Sequence, residues 1–323
     1  MKLKHRAVAL ALPAILLLSS WMTLDFKKNP GFPKHFDDHF AAVPGMAYTM
    51  VTDCDTCTHN RTVMVEGFYC ATTEVSNFMY REFVNDLKKN GETEKLALAQ
   101  VDSTQWMVAS SYCEPLKDLY FFHPAYYEYP VVNVSHEGAL LYCAWLQDSL
   151  NAFADGEVKY TVTLPTRDEW VAAAKGGHEF ATYAWGGPYL RNTKGCFLAN
   201  FRYLGAGNIH YNSETEEYEV MTTVPGPFLG HPGATLGGGR KNQDCFSGVF
   251  EFTSPVRSYV QNDFGLYNMN GNVAEMVAEE GIACGGGWKS TGYDVRCEST
   301  MLNDGPQPDV GFRPIIRVEQ LTK

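Results

Sequence analysis

Apolar residues recur at helical spacing in a few places along this chain. From Ser76 to about Lys88, residues Phe78, Tyr80, Phe83, Val84 and Leu87 fall so that several share one face, and Lys88-Lys89-Asn90-Gly91 supplies a stop. Ser135 can cap a second helix after the strand-like run Val131-Val132-Asn133-Val134, with Ala139, Tyr142, Cys143, Leu146 and Leu150 following at helical intervals. In the third, Thr166-Arg167-Asp168-Glu169 reads as a capping box, in which the threonine hydroxyl and the glutamate carboxylate each satisfy an amide the other leaves open. Leu164-Pro165 precedes it and Gly176-Gly177 closes it. Beyond Gly177 the helical period is lost. Short β-type runs alternate there with turns at Trp185-Gly186-Gly187-Pro188, Pro225-Gly226 and Gly237-Gly238-Gly239. The pattern predicts a compact, loop-rich α+β fold with short helices and little regular strand.

The N-terminus has a different order. Lys2, Lys4 and Arg6 precede an uncharged run from Ala7 to Ser20, the arrangement of a secretory signal. The run is shorter than the roughly 20 apolar residues of a spanning helix, so residues 1–20 are expected to be a cleaved signal peptide, with Ser19 and Ser20 as small cleavage-site residues. Trp21 stands where a lipoprotein would need cysteine. Residues 21–43 read as a polar linker and 44–321 as one domain, since no internal repeat or low-complexity tract interrupts them. The expected location is the periplasm or cell envelope, with membrane contact only through the N-terminal segment if it is retained.

A chain of 323 residues that is 45% hydrophobic can bury a sizeable core. Its formal net charge of -11 argues against nucleic acid or an anionic membrane as main partner, because both attract a basic face. Nine cysteines in an exported chain predict disulfides, and the odd count leaves at least one thiol over. Cys54 and Cys57 form a C-x-x-C that a staple, half a zinc site or a redox pair could use; no second C-x-x-C accompanies it, which favours the staple.

Six segments carry a family resemblance when taken in order. They are Phe68-Tyr69 with Thr73-Glu74-Val75-Ser76-Asn77, then Pro130 to Ser135, Leu164 to Trp170, Phe264 to Glu275, Gly285-Gly286-Gly287-Trp288, and Gly311-Phe312-Arg313. Together they resemble the successive signatures of the formylglycine-generating, or sulfatase-modifying-factor, family. The resemblance implies a C-type-lectin-like domain that holds structural calcium. It places ligands at Asn268, Gly271, Val273 and Glu275, a second set at Asn200, Phe201, Asp244 and Phe246, and a further position at Glu74. The residue types suit a hard cation, which takes carboxylate, amide and carbonyl oxygens.

The resemblance also implies a Cu(I)-binding cysteine pair that oxidises a substrate cysteine to formylglycine, and here the sequence departs from the family. Ser290 occupies the first cysteine position, Gly287 replaces a family serine, and the stretch holding the second cysteine is shortened. A neutral, hard hydroxyl cannot replace a thiolate toward Cu(I). Cys284 and Cys297 are the remaining candidate thiols, read as a disulfide or as separate buried residues. Copper is therefore not expected, and the catalytic positions Gly287 and Ser290 read as degenerate.

Other enzyme patterns are incomplete. His136-Glu137 lacks a second histidine at Leu140, His35 and His39 lack an acidic third ligand because Ala41 stands there, and no Gly-Lys-Ser or Gly-Lys-Thr follows the glycines of 233–241. The expected function is a calcium-stabilised binding or scaffold component of the envelope with a protein or peptide partner, similar to family members of gliding-motility and type IX secretion machinery. A groove at Trp288, Ser290 and Tyr293 is the expected ligand surface, for a peptide or sugar. The alternative is an oxidase that uses Cys284 or Cys297.

Overall fold

The computed structural model describes residues 38–54, 57–109, 113–154, 158–203, 209–212, 217–220 and 252–320. The expected signal peptide, most of the linker, His35, Asp244, Phe246 and the turns at 225–226 and 237–239 lie outside the described residues.

The chain enters through β1 (Phe40–Val43), runs through the hairpin β2 (Met46–Cys54) and β3 (Cys57–Val65), and returns as β4 (Phe68–Ala71) beside β1. Next come α1 (Asn77–Asn90), α2 (Thr93–Leu98), the single turns α3 (Trp106–Ala109) and α4 (Leu116–Leu119), and then α5 (His136–Phe153). β5 (Val158–Thr163) and α6 (Arg167–Lys175) follow, then the hairpin β6 (Ile209–Asn212) and β7 (Glu217–Val220). The last part holds β8 (Ala274–Met276), β9 (Ile282–Cys284), β10 (Thr300–Leu302), β11 (Val310–Phe312) and β12 (Ile315–Gln320). One four-stranded sheet has the order β1-β4-β12-β5, and a second has β10-β9-β8-β11, in which β11 runs parallel to β8. The architecture is thus α+β, with short strands and long connections.

The three expected helices form for the reasons their sequences give. Ser76 caps α1 by accepting from the Met79 amide, and Gly91 ends it in the left-handed region at φ 71°. Ser135 caps α5 by accepting from the Gly138 amide at 3.0 Å. Both halves of the capping box on α6 are present: the Glu169 amide donates to Thr166 Oγ1 at 3.2 Å, and the Thr166 amide donates to Glu169 Oε2 at 2.9 Å. The strand-like run Val131–Val134 is different. It is buried, yet Asn133 is left-handed at φ 61°, which breaks the pleat. Its amides pair singly instead, Val131 with Val75 O and Asn133 with Gln307 O.

The main core lies between α1, α5 and the two four-stranded sheets. Tyr80, Phe83, Tyr142, Leu146 and Leu150 meet Val162, Phe312 and Ile316 there. Each such side chain contributes about 1.5–3 kcal/mol of burial free energy. A second core joins the β2–β3 hairpin to α6 through Tyr48, Met50, Val63, Trp170 and Val171, and takes in Cys284 and Cys297. Among the described residues no helix is long and apolar enough to cross a membrane.

Candidate functional site

The site forms where the loop 268–272 curls before β8. Asn268, Gly271 and Asn272 all have positive φ, at 51°, 75° and 66°. Asparagine tolerates this region better than other side chains do, and at Gly271 a Cβ would stand 2.4 Å from Asn200 O. That close approach lets the Asn272 amide donate to Asn200 O at 2.7 Å. Asn200 is itself fixed by donating to Phe252 O at 2.8 Å. The segment around Asn200 and the segment around Asn268, read separately in the sequence, are therefore packed against each other.

Glu74 closes the cluster from the loop between β4 and α1. It is fully buried, and its carboxylate accepts from Asn272 Nδ2 at 2.7 Å and from Asn268 Nδ2 at 3.2 Å. Burial pushes its carboxyl up to about 8; the Arg313 guanidinium opposes the rise and the Glu275 carboxylate adds to it. Glu275, on β8, accepts from Trp170 Nε1 at 2.7 Å and from Arg313 Nε at 2.6 Å through one oxygen, and from Arg313 Nη2 at 2.6 Å through the other. Arg313 also donates to Ala71 O at 3.0 Å and Tyr267 O at 2.8 Å, so its charge is buried with four of its five donors used.

The calcium donors implied by resemblance are tested by this geometry. Asn268 Oδ1 is a buried acceptor that receives no hydrogen bond, and it belongs to a loop whose left-handed residues turn the backbone sharply. The nitrogen of the same amide is bonded to the Glu74 carboxyl, and an orphaned amide oxygen is a donor that suits a hard cation. Glu275 differs, because both its oxygens already carry hydrogen bonds from Arg313 and Trp170. Among the described residues no group of three His, Cys, Asp or Glu side chains is arranged to hold a metal, so a cation here would rest on amide and carbonyl oxygens together with one or two carboxylates. Phe201 is buried with Tyr183, Ala199 and Val295.

A copper site does not fit the residues present. Cys284 and Cys297 are free thiols with no solvent exposure, and burial pushes both up to about 12. With no solvent exposure, neither thiol is open to a substrate cysteine. The Cys297 sulfur lies 3.8 Å from the Asn270 amide. Ser290 Oγ accepts from the Gly287 amide at 3.0 Å, and the Ser290 amide donates to Gly287 O at 2.9 Å, closing a tight loop. A Cβ at Gly287 would stand 2.6 Å from Asp309 O, so the family serine has no room here.

The expected groove is not assembled as read. Trp288 is buried, donates to Pro308 O at 2.9 Å and stacks on Trp106 with ring centroids 6.4 Å apart. Tyr293 is 66% exposed and holds the Arg296 guanidinium over its ring at 3.5 Å. Trp288 is thus a core residue, and Ser290 is turned toward the backbone of its own loop. His136 makes a 2.9 Å hydrogen bond with Val277 O and acts as a tie between elements. Cys54 and Cys57 face each other in register at the tip of the β2–β3 hairpin. Sequence reasoning missed Arg313 and Trp170 as partners of Glu275, and Asn272 as partner of Glu74. The Gly311-Phe312-Arg313 signature was the available signal.

Known proteins agree with this architecture. Residues 26–226 and 234–318 match the sulfatase-modifying factor enzyme 1-like domain. The inactive C-alpha-formylglycine-generating enzyme 2 of Bos taurus is 26% identical over 288 residues, covering 78% of each chain. The formylglycine-generating enzyme of Mus musculus is also 26% identical over 288 residues, covering 82% of this chain and 61% of its own. Among solved structures, Treponema denticola variable protein 1 superposes with a TM-score of 0.50 at 15% identity, over 86% of this chain and 94% of that one, a likeness of fold. With its ordered signature segments and this match across most of its length, the chain belongs to the sulfatase-modifying factor enzyme 1-like domain family.

Proposed function

We propose that this protein is a family member without copper oxidase activity, and that it acts as a calcium-stabilised binding or scaffold component of the cell envelope. One observation carries the first half. The position of a metal-binding cysteine is a serine whose oxygen accepts a backbone amide, while the two nearby thiols are sealed in the core and protonated at ordinary pH. Relatives named as active and as inactive match the chain equally well, so similarity alone does not rank the two readings. Cu(I) titration, followed by incubation with a Cys-x-Pro-x-Arg peptide under oxygen, tests it. The expected result is no stoichiometric copper binding and unmodified peptide; conversion of the peptide cysteine to an aldehyde overturns the proposal.

Calcium would be held by the Asn268 amide oxygen and the curled 268–273 backbone, with Glu74 beside it, and its role would be to fix the loop. Chelation should then lower the melting temperature, as removal of any ligand specific to the folded state does. An unchanged melt speaks against the site. The export and secretion-machinery reading rests on the N-terminal Lys2-to-Ser20 pattern and on family style. Localisation of the full chain in its own cell tests it.

A further inference from the structure

A cavity of about 520 Å³ opens between α1, α5 and the start of β1. Its size falls within the range of small-molecule sites. Phe40, Phe78, Tyr142 and Trp145 give it aromatic walls. Phe78 is half exposed and tilts against Tyr127, with ring centroids 5.9 Å apart.

Apart from Tyr142, the titratable groups in the lining are Glu82, Asp86, Lys89 and His39. Glu82 and Asp86 lie one turn apart on α1 and both line the cavity. Asp86 is held in place: its Oδ2 accepts from Trp145 Nε1 at 3.0 Å and from Asn90 Nδ2 at 3.3 Å. The same bonds leave Asp86 Oδ1 without a protein donor, and they fix the Trp145 ring beside the carboxylate. Glu82 makes no hydrogen bond or ion pair among the described residues. Lys89, on the following turn, is exposed and likewise unpaired, and His39 also lines the cavity, so with a neutral imidazole the lining carries a net charge of one negative unit.

We propose that this cavity binds a small molecule bearing a protonated amine on an aromatic or branched apolar body. An ammonium placed at Asp86 Oδ1 and Glu82 is attracted by both carboxylates, and the body fills the aromatic chamber. An anion meets two carboxylates, and a neutral analogue gains only the apolar contact.

Titration of the full chain with 2-phenylethylammonium, 2-phenylethanol and 3-phenylpropionate, read by tryptophan fluorescence and by calorimetry, tests the assignment. The ammonium should bind saturably, and the alcohol and the carboxylate about tenfold or more weakly. Glu82→Gln lies on an exposed position and should fold normally, and it should weaken the ammonium about threefold or more while leaving the alcohol unchanged. Asp86→Asn can still accept from Trp145 and should do the same. Equal binding of the three probes, no saturable binding of any, or ammonium binding indifferent to both variants overturns the proposal.

Discussion

Arg313 grips Glu275 through two parallel hydrogen bonds of 2.6 Å, with both side chains withdrawn from solvent. The pair ties the loop after β11 to β8, and Trp170 joins α6 to the same carboxylate. A bidentate arginine contact fixes direction as well as distance. Removing one partner leaves an uncompensated charge in the core. Arg313→Met should therefore destabilise the domain by about 3–5 kcal/mol, measured by urea unfolding. Arg313→Met combined with Glu275→Gln should recover part of that loss, and a double variant no better than the single would refute the pairing as the cause.

Glu74 gives the protein a pH-dependent stability. Its carboxyl is raised from 4.5 to about 8, chiefly by burial, so the folded state keeps a proton that the unfolded state has already released. The sign follows directly: this contribution is complete below about pH 4.5 and is lost as the pH climbs toward about 8. In the presence of chelator, the unfolding midpoint should fall between pH 5 and 8 more steeply for the native chain than for Glu74→Gln. Parallel profiles would contradict it.

Gly287 should resist the family residue. Gly287→Ser places a Cβ 2.6 Å from the Asp309 carbonyl. Overpacking of this kind destabilises by about 1–3 kcal/mol. Thermal unfolding of the variant checks this, and a melting temperature equal to that of the native chain would mean the backbone yields easily.

Thr166→Ala removes the hydroxyl that caps α6. The expected loss is about 1 kcal/mol, read in urea, with the helix otherwise intact.

Cys284 and Cys297 should be silent toward iodoacetamide in the folded protein at pH 8, because both are buried and held protonated. Both should label once urea exposes them. Rapid labelling of either in the native state would reopen the oxidase reading.

What the sequence could reveal depended on how local each feature is. The capping box at Thr166 and Glu169, and the serine caps at Ser76 and Ser135, rest on residues within one turn of each other, and they were legible. The extended form of Val131–Val134 was legible too, but not its failure to join a sheet, because an apolar run looks the same in a strand and in a buried loop. α5 runs three residues past Leu150, the last position of its apolar period, to Phe153. Arg313 and Glu275 are separated by 38 positions, and Asn272 and Glu74 by 198, so no period or motif spacing connects them. The burial of Trp288 against Trp106 depends on a contact between distant loops, and an aromatic near a presumed groove was read as its wall. The cavity beside Asp86 exists only once α1, α5 and β1 meet.

The position of β12 has a consequence for synthesis. β12 sits between β4 and β5, so these two strands, both made earlier, are joined in the sheet by residues 315–320. A nascent chain that has not yet released this segment holds two facing strand edges apart, and each can recruit a foreign strand. Closure of this sheet is thereby deferred until residues 315–320 have been made. A chain truncated before Ile315 is expected to aggregate rather than to fold into a smaller unit.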